Sequence, residues 1–172
     1  TYRYNPPADM AADDSMYNYY EQGENKTGLL HLDADGKELK RIEFNQTDEN
    51  GNSFYVSNFF VDNSGNVYLS DWQNVYIYDQ DGNKKTTVDL GENGGELCEL
   101  KAGVVGVCYY KNDEAKPEES GRVFQEIDPA TGKLTGDTVK IPDSAYNFFP
   151  GDDVYDIYYD YNGNIYGYKF DT

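Results

Sequence analysis

Tyr76-Ile77-Tyr78-Asp79-Gln80-Asp81-Gly82-Asn83 is a short alternating strand that runs into a turn opened by Asp and closed by Gly. The same pattern recurs twice, as Leu30-His31-Leu32-Asp33-Ala34-Asp35-Gly36-Lys37 and as Gln125-Glu126-Ile127-Asp128-Pro129-Ala130-Thr131-Gly132-Lys133. Each copy is followed by a second strand pattern: Lys84 to Leu90, Glu38 to Phe44 and Leu134 to Ile141. The turn glycines are 46 and 50 residues apart. Gly tolerates the positive φ that tight hairpin turns require, so these sites read as antiparallel hairpins rather than as linkers.

A second, independent match gives the same period. Val61-Asp62-Asn63-Ser64-Gly65-Asn66-Val67-Tyr68 returns as Tyr159-Asp160-Tyr161-Asn162-Gly163-Asn164-Ile165-Tyr166, an offset of 98, or two repeats of 49. Each repeat then holds four antiparallel strands, A to D. No stretch keeps a 3.6-residue apolar period, and turn signals come too often for long helices. Four-stranded units repeated at about fifty residues are the signature of a β-propeller, with a sandwich of hairpins as the alternative.

The pattern predicts an all-β chain of about three and a half blades. A first blade, at about 10–45, shows strands B to D at Met16 to Glu21, Gly28 to Leu32 and Lys37 to Phe44. The second, 53–91, is complete: Phe54 to Phe60, Asn66 to Asp71, Val75 to Asp79 and Lys84 to Leu90. The third, 95–142, has Glu96 to Leu100, Val104 to Tyr110, Val123 to Asp128 and Leu134 to Ile141. A half blade follows at 150–172, with Val154 to Tyr159 and Ile165 to Phe170. Such a chain presents unpaired strand edges at both ends, and exposed edges invite association. The ring is then completed by sequence beyond this chain or by another copy.

Composition agrees with strands: 18 Tyr and 8 Phe dominate an apolar share of 38%. The 172 residues hold 32 Asp and Glu against 14 Lys and Arg, a formal charge of −18, which opposes binding to nucleic acid. Apolar runs such as Val104-Val105-Gly106-Val107 are too short to span a bilayer. The chain opens at Thr1 with neither Met nor an apolar leader segment, which reads as a trimmed start or a fragment.

Few residues carry chemistry. His31 is the one histidine and sits in an alternating strand; no phosphate loop, His-Glu-x-x-His or Gly-x-Ser-x-Gly occurs, so no catalytic residue, metal site or cofactor is assigned. The turns Asp33 to Gly36 and Asp79 to Gly82 look like pieces of calcium loops but lack the later ligands. Asp152, Asp153 and Asp156 are the carboxylates that a glycoside hydrolase or lyase would draw on, and surface acids in a turn explain them equally. Cys98 and Cys108 flank a hairpin turn at Lys101-Ala102-Gly103. Centred on residue 103, that hairpin sets the two opposite each other, as a disulfide or as a pair of buried thiols.

The binding expectation falls on the loops between strands B and C: Asp71-Trp72-Gln73-Asn74 and the longer Lys111 to Gly121. Trp72, the only Trp, could stack on a sugar while Asp71, Gln73 and Asn74 bond its hydroxyls, or it could pack between neighbouring blades. A carbohydrate or a peptide is the ligand class this implies.

Three stretches carry a family resemblance: Ile127 to Lys133; Ala145-Tyr146-Asn147-Phe148-Phe149-Pro150-Gly151-Asp152-Asp153-Val154-Tyr155-Asp156-Ile157-Tyr158-Tyr159; and Asn164-Ile165-Tyr166-Gly167-Tyr168. They resemble the N-terminal propeller region of large extracellular lipoproteins from Gram-positive gut bacteria, in which a propeller precedes a family 1 solute-binding domain. The resemblance spans most of Asp62 to Thr172. It implies a lipid-anchored, cell-surface location, a non-catalytic recognition or scaffolding role and a link to sugar uptake. It transfers no binding residue, and this sequence has neither the solute-binding domain nor a lipobox cysteine. A propeller hydrolase and a self-assembly module are the competing expectations.

Overall fold

The structure is a computed structural model and describes residues 8–21, 26–71, 73–90, 95–141, 154–159 and 165–169. All of its long-range order is β. Fourteen strands are described: β1 Asp9–Met10, β2 Met16–Glu21, β3 Lys26–Leu32, β4 Glu38–Asn45, β5 Asn58–Val61, β6 Val67–Ser70 and β7 Asn74–Tyr78, then β8 Lys84–Asp89, β9 Glu96–Lys101, β10 Val104–Lys111, β11 Gly121–Asp128, β12 Lys133–Lys140, β13 Val154–Tyr159 and β14 Ile165–Lys169. One turn of 3₁₀ helix, Pro117–Glu119, interrupts them. They form three four-stranded antiparallel meanders, β1 to β4, β5 to β8 and β9 to β12, followed by the ladder β13–β14. Among the described residues the sheets do not close on one another, and no helix is long and apolar enough to cross a membrane.

The hairpin turns are held by their own aspartates. In the turn 79–83, the Asp79 carboxylate accepts the N–H groups of Asp81 and Asn83, while Gly82 N–H donates to the Asp79 carbonyl at 3.0 Å. Asp33 does the same for Asp35 and Lys37, and Asp62 for Ser64 and Asn66. A fourth copy, Asp48 with Asn50 and Asn52, lies between the first and second sheets. The side-chain oxygen thereby replaces water on donors that the reversal leaves without a strand partner. Asn52 N–H holds the Asp48 carboxyl below the usual carboxylate range, and the Asn83 amide does so for Asp79.

The core lies between sheets stacked face to face. Leu29, Ile42 and Phe44 of the first sheet pack on Phe59, Val61, Val67, Leu69, Tyr76 and Tyr78 of the second. The alternate residues of that second sheet, Tyr68, Val75, Ile77 and Val88, pack on Leu97, Val105, Val107 and Ile127 of the third. Strand alternation thus gives the second sheet two buried faces, which is why every residue of β6 is buried. The first strands of successive sheets are also neighbours: β1 lies against β5, β5 against β9, and β9 against β13.

The turns seat each sheet on the one before it. At Gly82 (φ +83°) a Cβ would run into the Glu43 carbonyl of β4, and at Gly132 (φ +68°) into the Thr86 side chain of β8. Lys40 of β4 reaches Asp81 in the same turn at 2.9 Å, and Tyr78 donates its hydroxyl to the Asn45 carbonyl.

Three expectations change. The first sheet has four strands rather than three, because Asp9–Met10 pairs with Met16–Tyr17; two residues are too few to show alternation. The segment from Phe54 enters the ladder only at Asn58, since Gln46 bonds the Phe54 carbonyl and holds it outside the sheet. In the β9–β10 hairpin, Cys98 pairs with Gly106 and Cys108 with Glu96, so the cysteines are diagonal rather than opposite; a bulge between Val104 and Val105 moves the register. The two are bonded in the structure, with Cα atoms 6.0 Å apart.

Candidate functional site

Three hairpin turns from three consecutive sheets meet in one cleft of about 220 Å³. Each joins the first and second strands of its sheet. The first sheet contributes Ala11, Asp13, Ser15 and Tyr17, the second Val61 to Asn63 and Gly65, and the third Gly103. Ala11 N–H bonds the Ser15 carbonyl as Asp62 N–H bonds that of Asn66, so the 11–15 turn is another copy of the five-residue turn. Asp14 takes the left-handed position there (φ +66°) that Gly65 takes in its equivalent (φ +80°), a conformation Asp tolerates better than most side chains.

Backbone and carboxylate bonds tie the three turns together. Asp9, only 6% exposed, accepts the Val61 N–H at 2.6 Å, across the gap between the first and second sheets. Asn63 N–H donates to the Gly103 carbonyl at 3.2 Å, from the second sheet to the third, and Gly103 N–H donates to Glu99. Burial pushes the Asp9 carboxyl up to about 6, against the lowering effect of the Val61 N–H. Burial, and then the nearby Asp9 charge, pushes Glu99 up to about 8. Two acids with raised proton affinity therefore stand on β1 and β9, beside the cleft.

His31 lies close by but is not arranged for nucleophilic catalysis. Its ring stacks on Tyr17 with centroids 4.2 Å apart, and its Nε2 lies 2.8 Å from Ser15 Oγ. The Ser15 hydroxyl donates to Asp13 at 2.6 Å, holding that carboxyl low. The order is His, Ser, Asp with serine in the middle, whereas a triad needs the imidazole between the hydroxyl and the acid.

The expected B–C site is organised differently. Asp71 and Asn74 form the β6–β7 turn: the Asp71 carboxylate accepts N–H groups of Gln73 and Asn74 and, at 2.7 Å, the Tyr76 hydroxyl. Its acceptor capacity goes largely to its own hairpin. Gln73 is exposed, with its carbonyl accepting Leu90 N–H; Trp72 lies outside the described residues. In the longer loop, Asp113 takes the N–H groups of Ala115 and Lys116, and Ser120 closes it. Asp152 and Asp153 also lie outside the described residues, and Asp156 is placed only as a strand position. The calcium-like turns direct their first carboxylates onto backbone donors, and no group of three His, Cys, Asp or Glu suited to a metal occurs among the described residues.

The sequence reading missed Asp9, Glu99, Asp13, Ser15 and Asn63. The Asn63-Ser64-Gly65 turn was legible, as was a turn at Ala11 to Ser15, but their convergence depends on how the sheets stack.

No family model matches the chain, and no curated protein matches it. Among solved structures it is similar to a protein of unknown function from Bacteroides caccae, at 15% identity and a TM-score of 0.51, over 97% of this chain and 57% of that one. At this identity the likeness is one of fold alone. The present chain spans a little more than half the length of that protein.

Proposed function

We propose that the chain is a propeller-type module of a secreted or cell-surface bacterial lipoprotein, and that it recognises a ligand or partner rather than transforming one. The observation that carries the recognition reading is the convergence of the 11–15, 62–66 and 103 turns on one cleft, supported from behind by stacked sheets. Loops fixed on a rigid frame are the usual carriers of recognition. Successive contacts among β1, β5, β9 and β13 support a radial arrangement, since in a propeller the first strand of every blade lies nearest the axis. The disulfide favours an oxidising, extracellular setting.

The cleft suits a polyhydroxylated or amine-bearing ligand, such as a carbohydrate or a peptide. Tyr17, Ser15 and Asn63 offer donors and acceptors, and among the described residues no Lys or Arg lines it. The test is binding of the intact protein to glycan and peptide arrays, followed by titration calorimetry with Tyr17→Ala and Asn63→Ala. Loss of binding in both variants, measured where circular dichroism shows each still folded, is the expected result; Tyr17→Ala also loses packing on the first core and its stack on His31, and melts lower. Binding indifferent to both removes the cleft from consideration.

A hydrolase or lyase is the second reading, favoured by the raised Asp9 and Glu99 carboxyls on inner strands. Turnover of any glycoside that disappears in both Asp9→Asn and Glu99→Gln would establish it. Both carboxyls already accept backbone N–H groups, Asp9 from Val61 of the next sheet and Glu99 from Gly103 of its own hairpin, which is why the non-catalytic reading is preferred.

A further inference from the structure

The first sheet has a face that the repeat itself marks as an interface. Aligned on their turns, Leu32, Tyr78 and Ile127 are equivalent, as are Leu30 and Tyr76. Tyr78 and Tyr76 are buried against the first sheet and Ile127 against the second, at 1%, 2% and 2% exposure. Leu30 and Leu32 point the same way from the first sheet, away from Leu29, but both stay half-buried and neither joins a core cluster among the described residues. Register puts Met16, paired with Leu32, and Met10, paired with Met16, on the same face; Met10 is 45% exposed.

The turn tells the same story independently. Gly82 and Gly132 each press on the outer strand of the preceding sheet, whereas a Cβ on Gly36 would meet nothing within 4 Å, although its φ of +80° and its turn bonds are the same. Asp35 stands where Asp81 receives Lys40.

We propose that this face, built on Leu30, Leu32, Met10, Met16 and the Gly36 turn, is the seat of one further four-stranded sheet of the same repeat, carried by the same polypeptide. The incoming outer strand places a backbone carbonyl over Gly36, as Glu43 does over Gly82, and a Lys opposite Asp35, as Lys40 does for Asp81. Both sheet-on-sheet interfaces already present join consecutive sheets of one chain. A charge of −18 opposes bringing two copies together. The similar solved structure is a single chain of which this one matches only 57%, leaving room there for further units.

The inference rests on the propeller reading, and one set of measurements separates the two. Leu32→Cys is introduced into residues 1–172 and into the product of the full reading frame; Cys98 and Cys108 are already bonded, so the new thiol is the one that reacts. Maleimide labelling is expected to be slower by about tenfold or more in the longer protein. As a second readout, Leu32→Lys is expected to lower the midpoint of the longer protein while leaving residues 1–172 nearly unchanged. A ring-shaped scattering profile with equal labelling rates overturns this interface alone, and a rod-shaped profile overturns the propeller reading with it. Slow labelling of residues 1–172 together with a dimer on sedimentation makes the occupant a second copy, and overturns the assignment to the same polypeptide.

Discussion

Replacing Asp9 by Asn should make this protein more stable at pH 8 and no more stable at pH 3. The Asn side-chain carbonyl still accepts the Val61 N–H, so the contact between the first two sheets is kept while the charge goes. Burial moves the Asp9 carboxyl from its ordinary 3.8 to about 6. At about 1.4 kcal/mol for each tenfold change, that favours the neutral form by about 3 kcal/mol in the folded state. A raised carboxylate pKa means that the folded chain holds a proton the unfolded chain has released. The stabilisation is therefore complete below pH 4 and lost as the pH rises through 6, and Glu99 extends the loss toward pH 8. Aspartates held low by their turns, such as Asp48 and Asp79, act oppositely and only at more acid pH, so the difference between variant and wild type is the quantity to measure. Urea unfolding followed by circular dichroism at pH 3, 6 and 8 should give a difference near zero at the lowest pH, rising to as much as about 3 kcal/mol in favour of Asp9→Asn at the highest. Equal destabilisation at all three pH values would falsify the buried, protonated carboxyl and show that Val61 needs an ionised acceptor.

Gly82→Ala should destabilise by about 2 kcal/mol or more, because strain at positive φ adds to a clash with the Glu43 carbonyl, whereas Gly36→Ala in residues 1–172 should cost only the strain, about 1 kcal/mol; chemical denaturation of the pair reads the difference. Tyr76→Phe removes the hydroxyl that anchors Asp71 at 2.7 Å and should cost about 1 kcal/mol, with unchanged far-UV circular dichroism. Replacing Cys98 and Cys108 together by Ser should lower stability by about 2 to 3 kcal/mol, as expected for opening a loop this short, and a mutant as stable as wild type would show that the hairpin is already fully ordered without the bridge.

Strand positions and turn chemistry were legible because both are written locally. Asp-x-Asp-Gly and Asn-Gly state a reversal wherever they stand, and alternation such as Arg41-Ile42-Glu43-Phe44 states which side is buried. The turn at Asp48-Glu49-Asn50-Gly51-Asn52 has the same signature as Asp79 to Asn83 and could have been read from it. Asp9–Met10 was illegible because two residues carry no period, and the β9–β10 register because a bulge at Val104 has no dedicated residue type. The cleft was harder still. Asp9 and Val61 are 52 residues apart, and nothing in either stretch announces that one carboxylate will cap the other's free strand edge. At Trp72 and its polar neighbours the residue types suggest sugar binding, but Asp71 is largely spent on its own hairpin.

The meander connectivity bears on how the chain acquires and loses its structure. Each four-stranded sheet is a contiguous stretch of sequence whose strands pair only with their immediate neighbours in the chain, so the loops that must close during folding are short. The middle sheet is the exception to equality among the three: β5 to β8 are gripped on both faces, while β1 to β4 are gripped on one. A linear array of this kind behaves as units coupled to nearest neighbours, with opening that starts at the ends and moves inward. The amides of β6 and β7 are accordingly the last to exchange with solvent, and the turns that build the cleft open with whichever flanking sheet detaches first.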